Sequence, residues 1–371
     1  MVVKNSEVKL QYDPKDMQFR KLGNAGLRVP VFSLGGWLTF GGTVKGDPVK
    51  EIVKLAFENG INMIDLAESY SKGESEREVG RVLEELGIRR SDLIISSKIF
   101  FGQANRKGPN DKGLSRKHVI EGMKEILERL RVDCVDIIFA HRPDPTVPME
   151  EIVRAFNHLI DTGKAFYWGT SEWSARQVEE AYHVAAKLNL IAPIAEQVEY
   201  KFVINTLSPS CEILLFLAAS VANASSPNTS KHALVFKKVM DVLPRAVGSR
   251  RTQSSSRPGL KVYRRKRLKA LDKVKELTKF AETELGCSVT VLALAWAASH
   301  PNASTVILGA SSPEQLLENL KALETLKKFT PEVSDIPNNK HYLSHCTCQI
   351  REKINKILDN TPAPEPNLRP L

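Results

Sequence analysis

Leu93-Ile94-Ile95-Ser96-Ser97-Lys98 and Val135-Asp136-Ile137-Ile138-Phe139-Ala140-His141 bracket a stretch, Arg116 to Leu130, whose apolar residues recur at helical spacing. Short apolar runs rich in β-branched residues suit strands covered on both faces, and a helix between two of them is the usual connection of a parallel pair. The unit repeats outward in both directions. Upstream, strands are expected at Phe32 to Gly35 and Asn62 to Leu66, and helices at Val49 to Asn59 and Ser75 to Leu86. Downstream, helix Met149 to Thr162, strand Ala165 to Thr170, helix Ala175 to Leu188 and strand Ala192 to Gln197 continue it. Farther on, Lys266 to Leu285 and Val289 to Ser299 read as helices, Ser304 to Leu308 as a strand, and Pro313 to Leu326 as a helix capped by Ser312. Phe19 to Leu22 and Leu27 to Phe32 flank Gly23-Asn24-Ala25-Gly26, which predicts a hairpin over one barrel end. The fold class expected is α/β, a (β/α)8 TIM barrel with an N-terminal β-hairpin cap.

Two stretches disturb the order. Phe202 to Arg257 carries Ser/Asn-rich and Arg/Ser-rich pieces, in which only Ile213 to Ala218 reads as a buried strand, so the seventh β/α unit is atypical. Ser334 to Gln349 is polar and helix-poor, contains Pro337, and reads as an insertion before a helical Arg351 to Leu358. The expected organisation is a tail over 1–16, one barrel domain over 17–362 with 202–257 divergent and 334–349 inserted, and a tail over 363–371.

A chain of 371 residues, 42% hydrophobic, is long enough for one large core. It holds no run of roughly 20 apolar residues, and its polar start has no signal-peptide core, so a cytoplasmic protein without direct membrane insertion is expected. Five cysteines, odd in number and without framework spacing, fit a reducing compartment. His341, His345, Cys346 and Cys348 do not follow a zinc pattern, and no metal site is assigned. The net charge of +10 is densest at Arg264 to Arg267, which opens an amphipathic helix; a solvated face accounts for it without a nucleic-acid partner.

Asp65, Tyr70, Lys98 and His141 stand where successive strands stop, the end of a barrel at which active sites lie. Carbonyl reduction needs a proton donor on the oxygen as hydride reaches the carbon, and Tyr70 is the candidate. Free tyrosine titrates near 10, so Lys98 is expected to favour the phenolate and lower that value. Asp65 would hold the ammonium, and His141 would orient the carbonyl. No GxGxxG or phosphate-loop spacing is present, so a nucleotide must be bound another way. Leu308-Gly309-Ala310-Ser311-Ser312, ending the last strand and opening a helix with Gln315, Glu318 and Asn319, is a natural phosphate site.

Ser33-Leu34-Gly35-Gly36-Trp37, Asp65 to Tyr70, Ser96 to Gly102, Gly113 to His118, Phe139 to Asp144 and Phe166 to Trp173 together resemble the aldo-keto reductase family, in the branch of the voltage-gated potassium channel β-subunits. The resemblance runs from about Met17 to Tyr200, resumes from about Arg267 to Leu326, and implies that Asp65, Tyr70, Lys98 and His141 form a catalytic tetrad. It implies NADPH (NADP as product), with Trp37 touching cofactor and substrate, Ser171 and Gln197 holding the nicotinamide amide, and Ser311, Gln315, Glu318 and Asn319 holding the adenosine phosphate end. Gly248-Ser249-Arg250 lines up with a family Gly-Ser-Arg, which adds Arg250 at the phosphates. The implied function is an NADPH-dependent oxidoreductase that reduces small aldehydes and ketones to alcohols. The alternative is an auxiliary β-subunit of a potassium channel, or a redox sensor with little turnover; the branch implies a homotetramer and a membrane channel partner. Animal channel β-subunits often carry Asn where His141 stands, so the retained His favours a working reductase. Phe202 to Ala246 lacks the family's Trp-Ser-Pro-Leu-like loop and following Lys, while its length is near normal, as a frame or splicing discrepancy would leave it. A barrel short of its seventh strand, with weakened nucleotide binding and impaired activity, is expected from that loss.

Overall fold

The computed structural model of the chain describes residues 8–103, 106, 108–199, 215–218, 272–300, 302–329 and 345–358. Gly23, at φ +60°, turns the chain between β1 (Phe19–Lys21) and β2 (Arg28–Pro30), an antiparallel pair; a Cβ there would stand 2.1 Å from the Ile194 carbonyl oxygen. Eight further strands form a closed parallel barrel: β3 (Phe32–Gly35), β4 (Met63–Asp65), β5 (Ile94–Ile99), β6 (Val135–Ala140), β7 (Ala165–Ser171), β8 (Glu196–Glu199), β9 (Leu215–Ala218) and β10 (Ala303–Leu308). Every residue of β5, β6 and β10 is buried, as continuous apolar runs require.

Between the first strands lie α1 (Asp47–Glu58), α2 (Glu74–Leu86), α3 (Arg116–Leu130), α4 (Met149–Asp161) and α5 (Ala175–Lys187). Their spacing explains their seats: α2 buries Val79, Val82, Leu83 and Leu86, one stripe at intervals of three and four. Local chemistry fixes their ends. The Ser115 side chain accepts from the His118 N–H, Ser174 and Gln177 form a capping box on α5, and left-handed Gly87 stops α2.

The described residues fall into two compact units. The first holds both sheets, α1 to α5, and α8 (Pro313–Leu320). Leu22 and Val29 of its hairpin pack with Met63, Ile94, Ile137, Phe139, Ala195 and Ile307 of the strands, which stoppers one mouth of the barrel. Each large side chain so buried stabilises by roughly 1.5–3 kcal/mol. The second unit holds α6 (Asp272–Leu285), α7 (Val289–Ala298) through Trp296, α9 (Ala322–Lys327) and α10 (His345–Leu358); within it the Lys328 ammonium donates to the Leu285 carbonyl at 2.6 Å. No single helix among the described residues is long and apolar enough to cross a membrane.

Four boundaries differ from the sequence reading. β8 begins only at Glu196, beyond Pro193, which has no N–H to give to a strand ladder. The helix expected over Pro313 to Leu326 breaks at Lys321, whose ψ of −16° departs from the α-helical ladder. Helix α10 starts at His345, inside the stretch expected to be helix-poor, because the breaker there, Pro337, lies upstream of it. Leu215–Ala218 takes the seventh place in the barrel, Glu196 to Glu199 opposite Leu215 to Ala218 on one side and Ala303 and Val306 opposite Leu215 and Leu217 on the other. The expectation of a barrel short of that strand is thereby corrected: the run of apolar residues suffices to pair, whatever loop follows it. The rest of 202–257 lies outside the described residues.

Candidate active site

Asp65 ends β4 and is in register with Ser96 of β5. Side chains two apart on a strand share a face, so Ser96 and Lys98 both reach inward. The Ser96 hydroxyl donates to Asp65 Oδ1 at 2.7 Å, and the Lys98 ammonium donates to Asp65 Oδ2 at 2.5 Å, to the Leu66 carbonyl at 2.7 Å and to the Tyr70 hydroxyl at 3.0 Å. All three ammonium donors are used, in a place where Lys98 is 1% exposed. Tyr70 is followed by Ser71, Lys72 and Gly73 at φ 49°, 62° and 87°. Two non-glycine residues in the left-handed region cost of order 1 kcal/mol or more each, and they turn the chain sharply behind the phenol. His141 follows β6, its backbone N–H on the Ile99 carbonyl at 3.0 Å, its ring edge-on to Tyr70 at 5.9 Å.

Burial opposes the charge on Lys98, but Asp65 first and Tyr70 second outweigh it and hold the ammonium above its ordinary range. Burial pushes the Tyr70 phenol up and Lys98 pulls it down, with the net shift upward. The expected net lowering of Tyr70 is therefore corrected: the cation acts as anticipated, yet desolvation of a phenol on the cavity floor is the larger effect. Burial, then Lys98 and Arg142, push His141 down to about 2, so its imidazole is neutral at physiological pH.

These groups floor a cavity of about 740 Å³. Ser171, the last residue of β7, and its register partner Gln197, the second residue of β8, line it, as does the half-exposed Trp37, whose ring is 6.4 Å from that of Tyr70. The Gln197 amide N–H approaches Asp65 Oδ2 at 3.3 Å, whereas buried Gln197 Oε1 and His141 Nδ1 have no hydrogen-bond partner among the described residues. Ser311, Gln315, Glu318 and Asn319 follow β10 and do not line this cavity. The Ser311 N–H and hydroxyl both donate to Gln315 Oε1 at 2.9 Å; Asn319 donates to the Gly309 carbonyl at 3.2 Å, and its buried Oδ1 has no partner among the described residues. Arg250 lies outside the described residues.

Among the cavity residues that sequence did not single out are Arg142, Phe101 and Glu172. Arg142 bonds the His141 carbonyl and stands 3.4 Å from the Ser171 hydroxyl; Phe101 is 5.0 Å from the His141 ring; Glu172, at φ 59°, lines the wall. Arg142 and Phe101 immediately follow a strand-end His and a strand-end apolar pair, a position signal that was available.

The family described as "Aldo/keto reductase family" matches residues 32–337. The chain belongs to the aldo/keto reductase family. A Schizosaccharomyces pombe protein named, provisionally, as a voltage-gated potassium channel subunit beta is 44% identical over 352 residues, which is 95% of this chain and 96% of that protein. Proteins of Oryza sativa subsp. japonica and Arabidopsis thaliana with the same provisional name are each 41% identical over 324 residues, 86% of this chain and 95% of each relative. This aldo/keto reductase thus falls in the channel β-subunit branch of a family of oxidoreductases that generally use nicotinamide cofactors. The residues present fit such a nucleotide. A carboxamide has N–H groups to give and a carbonyl to receive with, and the orphaned Gln197 Oε1 beside the Ser171 hydroxyl offers the complement.

Proposed function

We propose that this aldo/keto reductase is an NADPH-dependent oxidoreductase that reduces small aldehydes and ketones to alcohols, with Tyr70 as the proton donor. The observation that carries this reading is the Lys98 ammonium held 2.5 Å from Asp65 and 3.0 Å from the Tyr70 hydroxyl at the floor of an open cavity. The reduced nicotinamide, when bound, supplies a hydride to the carbonyl carbon. Tyr70 gives its proton to the carbonyl oxygen, and the phenolate left behind is stabilised by Lys98, whose charge Asp65 sustains. A phenol kept protonated by burial is loaded for donation at neutral pH. Neutral His141 directs a ring N–H at the same oxygen and orients it.

Ser171 and Gln197 would hold the carboxamide, Trp37 the ring side, and Ser311, Gln315, Glu318, Asn319 and Arg250 the phosphate-bearing end. The helix N-terminus after β10, with its partial positive charge, supports that assignment. We read the chain as one barrel domain over 17–362, divergent at 202–257 and with an insertion at 334–349, acting in the cytoplasm as a homotetramer.

A second reading is favoured by the names of the three relatives: an auxiliary subunit of a membrane channel, or a redox sensor in which nucleotide occupancy is the signal and turnover is slight. Steady-state reduction of an aromatic aldehyde with NADPH separates the two. Alcohol formed in step with NADPH consumed supports the reductase; tight NADPH binding without alcohol supports the sensor.

A further inference from the structure

Glu68 lies between Asp65 and Tyr70, is 2% exposed, and does not reach the cavity. One of its oxygens, Oε1, accepts from the Phe100 N–H at 2.7 Å and the Gly102 N–H at 2.8 Å, and stands 3.2 Å from His118 Nε2. The two amides are those on either side of Phe101. Backbone donors fixed to a single carboxylate oxygen leave the intervening residue little freedom, and charge-assisted bonds of this kind are the stronger class. Phe101 is 48% exposed, large and apolar, and its ring meets that of His141 edge-on at 5.0 Å and 81°. The rings Trp37, Tyr70, His141 and Phe101 follow one another at 6.4, 5.9 and 5.0 Å, so the reactive pair stands between two half-exposed aromatic walls. Trp37 is next to Gly36, whose N–H bonds the Asp65 carbonyl; the loop that carries Phe101 is tied by Glu68 at Phe100 and Gly102 and by the Gly113 N–H on the Phe100 carbonyl at 2.7 Å, and the Phe101 ring also meets Phe100 at 5.1 Å and the Arg142 guanidinium at 5.7 Å.

We propose that Glu68 is a positioning residue that holds Phe101 against His141, and that Phe101 so held is specificity-determining, selecting carbonyl substrates with a flat aromatic group beside the reacting carbon over small aliphatic ones. The assignment rests on the reductase reading. Removing the acceptor strands two amides and lets the Phe101 wall swing, while leaving Lys98, Tyr70 and the Ser171/Gln197 pair in place. A flat substrate that stacks on or edges against this wall loses that contact, and a small aliphatic one has none to lose.

The test compares wild type, Glu68→Ala, Glu68→Gln, Phe101→Ala and the Glu68→Ala/Phe101→Ala double variant. For each, kcat and KM are measured with 4-nitrobenzaldehyde and with propanal, and the NADPH Kd by fluorescence titration. Glu68→Ala should raise KM for 4-nitrobenzaldehyde roughly tenfold while changing KM for propanal and the NADPH Kd by less than about twofold. Glu68→Gln, which keeps an acceptor oxygen, should recover most of the loss, and the double variant should be no worse than Phe101→Ala. Equal loss with both aldehydes, a weakened NADPH Kd, or additive effects in the double variant would overturn the assignment. If Glu68→Ala does not fold, Phe101→Ala decides alone: unchanged discrimination between the aldehydes defeats the proposal. Wild type that reduces neither aldehyde brings down the reductase reading, and this assignment with it, and is told apart from the other failures by that control.

Discussion

The ammonium of Lys98 and the hydroxyl of Tyr70 share a 3.0 Å hydrogen bond on the floor of the cavity, and the same ammonium neutralises Asp65 at 2.5 Å. One buried cation therefore serves both the fold and the phenol.

Lys98→Met should destabilise the chain by about 3–5 kcal/mol, because Asp65 is left charged and unpaired in the interior. Adding Asp65→Asn should restore much of that stability without restoring turnover. Urea unfolding and steady-state rates on both variants check this; a double variant as unstable as the single one would show that the pair is not coupled.

Glu196 is a buried carboxyl that bonds the Thr170 hydroxyl and accepts the Trp173 N–H at 3.0 Å, and burial raises it to about 8. The folded chain then keeps a proton that the unfolded chain releases above about 4.5, so folding stability falls as pH rises toward 8 and levels off beyond it. The slope contributed is at most roughly 1.4 kcal/mol per pH unit. Glu196→Gln should abolish this component. Thermal melts of wild type and variant from pH 5 to 9 should diverge below pH 8; parallel curves would contradict the assignment.

His141 is neutral in the folded chain and is pushed down to about 2, whereas the unfolded imidazole titrates near 6.5. Its contribution to stability is present above pH 6.5 and is lost as pH falls below that value. Its ring resonances should stay fixed between pH 5 and 8 in an NMR titration. An inflection near pH 6.5 would mean that the imidazole charges in the native state.

The repeating strands and the four reactive side chains were legible because each is local: an apolar run ends and a titratable residue follows. Lys98 and Asp65 were paired in advance by their neighbouring strand ends. What sequence missed depends on contacts far apart in the chain. That Tyr70 is raised on balance depends on how much wall surrounds it. The clamp of Glu68 on both amides flanking Phe101 needs the β4 and β5 loops side by side, and neither loop announces it. The seventh strand was legible as the apolar run Ile213 to Ala218, within which Leu215–Ala218 pairs on both sides, although the sequence around it carries no barrel pattern.

Changing Ser311 and Gln315 together to Ala should weaken NADPH binding more than NADH binding, since we place the extra phosphate at the first turn of the helix after β10. Fluorescence titration with each nucleotide measures the difference. Equal weakening of the two would move the phosphate site elsewhere.

The central claim, that Tyr70 delivers the proton in an NADPH-dependent carbonyl reduction, is tested most directly by mixing NADPH-loaded wild type and Tyr70→Phe with 4-nitrobenzaldehyde and following NADPH loss and alcohol formation through the first turnover. Wild type should form one alcohol for each NADPH consumed, and Tyr70→Phe should be slower by roughly 10²-fold or more while binding NADPH nearly as tightly. Comparable rates in the two proteins, or NADPH binding by wild type with no alcohol formed, would contradict it.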